Sequence, residues 1–143
     1  TLVREGVALM KRGRGEGEPG EALSCFKRAL ECFDEALASD PESIAAYGNK
    51  GNTLLASARQ MVAMGSPSEA ERLLRNSGRC YRQVLALNSR DSLALFNWGN
   101  ALCLRAKLCE QEDAETAYKL YAAAIEKFEV ALDLDPAMQE ASR

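Results

Sequence analysis

Leu95 to Lys107 reads LFNWGNALCLRAK, and Ala124 to Pro136 reads AIEKFEVALDLDP. The first stretch sets Leu95, Trp98 and Leu102 on one helical face around Gly99, where a partner helix must come close. The second carries Ala124, Phe128 and Ala131, a small–large–small stripe, and stops at Asp135-Pro136 because proline cannot continue the hydrogen-bond ladder. Two helices that must pack on each other, joined through a short acidic turn, make a helical hairpin.

The rest of the chain repeats this unit. Helix ends align at ALASDP (36–41), VLALNS (84–89) and ALDLDP (131–136), so that Asp40, Asn88 and Asp135 stand 48 and 47 residues apart. The helix that follows each end repeats too: Tyr47-Gly48-Asn49-Lys50-Gly51-Asn52 lies 48 residues before Leu95-Phe96-Asn97-Trp98-Gly99-Asn100. A fixed period of this size marks stacked helical hairpins. The expected fold is all-α, with three units at about 1–41, 42–89 and 90–136 and the start of a further helix at 137–143.

Read outward, the pattern sets the elements. Residues 1–12 carry a short helical pattern, and the GRGEGEPG run at 13–20 reads as a loop. That run lacks the lysine and hydroxyl of a phosphate loop, and no strand precedes it. Leu23, Phe26, Leu30, Phe33 and Leu37 define an amphipathic helix over Glu21–Ser39. A second-unit helix starts near Glu42 with a buried stripe of Ile44, Tyr47, Gly51, Leu54, Ala58 and Met61. Ser66 is the expected N-cap, with Pro67 in the first turn of a helix to Leu87. Helices over 91–110 and 114–134 complete the set, with Phe128 expected in the core.

These residues resemble the tetratricopeptide repeat family. Its second helix carries a small–aromatic–small pattern before a proline, matched by Ala29, Phe33, Ala36 and Pro41 and by Ala124, Phe128, Ala131 and Pro136. The middle unit departs from it, with Ser77, Tyr81, Val84 and Ser89. The family's first-helix pattern falls on Tyr47, Gly51 and Leu54, and on Leu95, Trp98, Gly99 and Leu102. A standard unit has about 34 residues; the surplus here lies between the anchors and lengthens both arms of each hairpin. Long-armed units are similar to those of the plant-type mitochondrial import receptor and of plant organelle repeat proteins. HEAT-type repeats share the period but do not explain the proline-anchored stripe. The resemblance implies a right-handed α-solenoid and a protein-interaction role.

In such a stack the first helices line the concave face. Residues three and four apart share a face, which puts Asn49, Asn52, Ala56 and Arg59 on the groove stripe of the second unit. Asn97, Asn100, Leu104 and Lys107 follow in the third, and Arg4, Val7, Lys11 and Arg14 in the first. Phe96 falls on the same side. Asparagine offers a donor and an acceptor, so repeated Asn-x-x-Asn pairs suit an extended peptide backbone. The bases add positive potential, which points to an acidic or carboxylate-bearing protein segment. The resemblance also brings in the chaperone-tail clamp, but Ala45, Gly48, Leu93 and Phe96 stand where such clamps carry bases, so that mode is not expected.

Composition bounds the rest. At 143 residues, 47% apolar and 27% charged, the chain has the profile of one globular domain. A net charge of −3 argues against nucleic acid as a partner. There is no histidine, and Cys25, Cys32, Cys80, Cys103 and Cys109 form no C-x-x-C pair, so no metal site, cofactor or catalytic nucleophile is expected. An odd number of thiols and no signal peptide read as an intracellular, reducing setting rather than secretion. No apolar run is long enough for membrane insertion, and a start at Thr1 reads as an excised domain. The alternative to a peptide groove is an architectural subunit that makes contact through its convex face or its ends.

Overall fold

The computed structural model describes residues 1–138. It contains six helices: α1 (Leu2–Arg14), α2 (Pro19–Ser39), α3 (Ile44–Ala63), α4 (Pro67–Leu87), α5 (Ser92–Cys109) and α6 (Ala114–Leu134). Connections of three or four residues force neighbours to run antiparallel. The tightest packing is within α1/α2, α3/α4 and α5/α6, and α2 meets α3 as α4 meets α5. Among the described residues α1 also touches α3 and α3 touches α5, whereas α2, α4 and α6 do not touch one another. The first helix of each pair therefore lies on the inner side of the stack. This is the arrangement of consecutive hairpins that the resemblance implies. The further helix expected at 137–143 falls almost entirely outside the described residues.

Each hairpin closes on a glycine. A Cβ at Gly6 would come within 2.6 Å of the Phe33 ring, at Gly51 within 2.8 Å of Tyr81, and at Gly99 within 2.5 Å of Phe128. An alanine at any of these positions forces the ring out of its seat. The glycine on the first helix and the aromatic on the second are thus one joint, used three times.

The chain turns out of each second helix in one way. Asp40, Asn88 and Asp135 are extended, and their backbone N–H groups donate to Ala36, Val84 and Ala131 at 2.8, 2.7 and 2.9 Å. Their side-chain oxygens accept from the N–H of Glu42, Arg90 and Ala137 at 3.2, 3.3 and 3.2 Å. The Asx turn, rather than the proline, is what all three exits share, since the middle unit has Ser89 in place of proline. The first helices are capped by Thr1, Ser43 and Asp91, whose side chains accept from the third N–H beyond them.

Several sequence expectations need correction. The glycine-rich loop is shorter than 13–20: α1 runs through Gly13, whose missing Cβ makes room for Phe26, and α2 starts at Pro19. Ser66 precedes α4 but makes no side-chain cap bond. Ile44 is exposed, while Ala46, Thr53, Leu55 and Ser57 join Gly51, Leu54 and Ala58 in the interior. The inner helix α3 packs on both α2 and α4, so it is buried over more than one stripe. Phe128 is only half-buried, and α6 buries just Ala117, Ala124 and Ala131.

Candidate interaction surface

The inner face is built by α1, α3 and α5. Its centre is a node across three helices. The Tyr81 hydroxyl of α4 donates to the Asn52 side-chain oxygen at 2.7 Å, and the Asn97 amide donates to the same oxygen at 3.2 Å. Burial pushes the Tyr81 phenol well above its ordinary pKa, with nearby Arg59 and Arg14 opposing. It is therefore a neutral donor at physiological pH. Beneath the node the Ser77 hydroxyl donates to the Gly51 carbonyl at 2.9 Å, joining α4 to α3 across the buried joint. Asn49 turns back on its own helix and donates to Ala45 O at 2.8 Å.

Asn49, Asn52 and Asn97 line one cleft of about 200 Å³ together with Gly48, Tyr81, Val84 and Leu93. Phe96 and Asn100 line a second, of about 430 Å³, with Phe128 and Leu132. In the second cleft the rings of Phe96 and Phe128 pack at 5.5 Å, tilted by 56°. Phe128 has no hydroxyl, so the Asn100 side chain lacks the tyrosine partner that Asn52 has. The four asparagines thus divide into the bonded Asn52–Asn97 node, Asn49 held by its own helix, and a freer Asn100 amide at the α5/α6 end.

The bases behave differently. Arg4, Lys11, Arg59 and Lys107 are all exposed, and none lines either cleft. They border the inner face rather than floor it. Cys103 is half-buried, and burial raises its thiol pKa, with Lys107 opposing. No group of three or more His, Cys, Asp or Glu among the described residues is placed to hold a metal ion.

Sequence reasoning placed Tyr81 at the aromatic station of the middle unit and missed its polar end. The departure of the middle unit from phenylalanine was the available signal, because a buried tyrosine needs a partner for its hydroxyl. It also passed over the basic side of α4, where Arg72, Arg75, Arg79 and Arg82 recur at helical spacing.

No family model matches this chain. No curated protein matches it either. Eleven chains of solved structures do. One is the crystal structure of MamA, 14% identical, with the alignment covering 82% of this chain and 92% of that one at a TM-score of 0.20. A superposition of that quality carries no structural argument. The class is defined by the packing itself: an all-α stack of three consecutive antiparallel hairpins. No helix among the described residues is long and apolar enough to cross a membrane, and all five cysteines are free thiols.

Proposed function

We propose that this chain is a non-catalytic protein-interaction module that holds a peptide segment of a partner along α1, α3 and α5. One observation carries the reading. Asn52 and Asn97 meet in an open cleft through a single shared oxygen. Among the described residues that contact leaves the Asn52 amide as an unused donor and the Asn97 oxygen as an unused acceptor. A peptide group supplies one acceptor and one donor, so it complements the pair without its side chain being read. The exposed bases Arg4, Lys11, Arg59 and Lys107 favour an acidic or carboxylate-terminated segment by long-range attraction. Asn100 and Phe96 extend the surface with an amide beside an aromatic cleft.

The test is a peptide-display selection on the wild-type domain, with each selected peptide measured on Asn49→Ala/Asn97→Ala. Asn52 stays intact in this variant, because its loss would strand the Tyr81 hydroxyl. Selected peptides should carry acidic residues or a free C-terminus and bind the variant more weakly, with helicity unchanged. Equal affinity for wild type and variant sinks the groove.

A second reading has its own observation. Tyr118 and Ile125, two turns apart on one face of α6, are 74% and 55% exposed. That apolar surface fits an architectural subunit packed into a larger assembly through its end or its convex side.

A further inference from the structure

The outer helices differ sharply in charge. On α2, Glu31, Asp34 and Glu35 are exposed, and on α6 so are Glu126, Glu129 and Asp133. Between them in the stack α4 presents Arg75, Arg79 and Arg82, all exposed, on successive turns of one face. They border a furrow of about 250 Å³ between α4 and α5, with Trp98 and Arg105 on its far side.

This furrow is rich in donors and poor in acceptors. Its nearby carboxylate, Glu71, is already held by Arg75 at 2.7 Å and by Arg105 at 3.2 Å. Arg79 meets only the Asn76 side-chain oxygen, at 3.2 Å. Among the described residues neither Arg79 nor Arg82 pairs with a carboxylate, and no acceptor takes the Trp98 indole N–H. The indole nitrogen lies close to α4 because residue 78 is glycine: a Cβ there would stand 3.0 Å from it, and Gly78 and Trp98 both line the furrow. Lys127 lies over the Trp98 ring, 4.6 Å from its centroid. Guanidinium forks and an indole N–H all require acceptor oxygens, and guanidinium matches carboxylate in shape as well as charge.

The geometry points to this α4–α5 furrow as a docking site for a short acidic peptide segment, separate from the inner face. Arg75 to Arg82 spans about 10 Å along the helix, the reach of about three extended residues. Two or three carboxylates in such a stretch would satisfy Arg79, Arg82 and the Trp98 N–H together. A long polyanion fits less well. A nucleic-acid strand continuing past α4 in either direction would meet the exposed carboxylates of α2 or α6.

The chain's single tryptophan is Trp98, so its emission reads the furrow directly. Titration with a capped peptide of alternating glutamate and glycine should give a saturable change in that emission. Arg79→Glu/Arg82→Glu should weaken it about tenfold or more, whereas Lys27→Glu/Arg28→Glu on α2, the same change in charge, should leave it intact. If charge reversal disturbs the helical circular dichroism, Arg79→Gln/Arg82→Gln replaces it with the same expectation. No saturable response, or one indifferent to the furrow variant, overturns the proposal. Tighter binding of an oligothymidylate of matched charge gives the furrow to nucleic acid. An emission change with protein concentration alone gives it to the acidic face of a second copy.

Discussion

Phe33, Tyr81 and Phe128 hold the same station in their hairpins, yet Phe33 is 0% and Tyr81 1% exposed while Phe128 is open to the cleft beside Phe96. The difference does not lie in the rings. Gly6, Gly51 and Gly99 receive them with the same intimacy. What differs is the next helix. Tyr81 and Val84 pack against Ala94 and Trp98 of α5, and α3 lies against α2 in the same way. No described helix lies over α6. In a stacked array the worth of a residue is set half by its own unit and half by its neighbour.

The sharpest way to break that comparison is to truncate the rings. Phe33→Ala should cost about 3–5 kcal/mol in denaturant unfolding. Phe128→Ala should cost less than half as much, because a half-exposed ring leaves a smaller cavity and less lost burial. Equal losses would mean that Phe128 is covered in solution.

Alkaline pH probes the middle joint next. The Cys80 thiol is pushed up to about 11 by burial, with Lys50 lowering it and Asp34 raising it. The sign follows from proton counting. Above about pH 9 the unfolded chain loses this proton while the folded chain keeps it, so stability falls as pH rises from about 9 to 11. A two-unit rise corresponds to about 2–3 kcal/mol for this group. Cys80→Ala should flatten that part of the alkaline loss in urea midpoints taken across pH. An unchanged slope would mean that other groups cause it.

Tyr81→Phe makes the middle joint resemble its neighbours. It removes the hydroxyl from Asn52 and should cost about 1 kcal/mol. Combined with Asn52→Ala the loss should be less than additive, because both changes break one bond. Strict additivity in the double-mutant cycle would deny the node. The smallest effect is expected at the junction between the first two hairpins. Lys50 and Asp34 pair at 2.7 Å, but the Asp34 side chain is 59% exposed. Asp34→Asn should shift stability by less than about 0.5 kcal/mol, and salt should erase the difference. A larger loss would make this pair part of the stacking joint.

Much of the fold was legible because periodicity is a local property. The bounds expected for the helices at 67–87 and 114–134 are those of α4 and α6. The glycine-rich run misled because composition suggested a loop, whereas Gly13 serves close packing against Phe26 inside a helix. The common exit was half-read: proline drew attention, and the Asp or Asn before it makes the turn. Exposure of Phe128 was illegible, since a stripe tells which face is apolar but not what covers it. The Asn stripe was legible as a pattern. Its bond to Tyr81, 29 residues away, was not, because no local rule pairs residues across a hairpin.

Cys80 also gives the molecule an internal clock. Its side chain belongs to one apolar cluster with Leu54, Leu55 and Ala58 of α3, and Lys50 and Asp34 act on its thiol, which sets it beside the junction of the first two hairpins. Only a thiolate reacts readily with an alkylating reagent, and a buried thiol held protonated must first swing into water. Its modification therefore waits on a parting of α4 from its neighbours, a fluctuation smaller than unfolding. Cys32, Cys103 and Cys109 are more accessible and should be consumed first. The delay before Cys80 follows would time how often this joint opens.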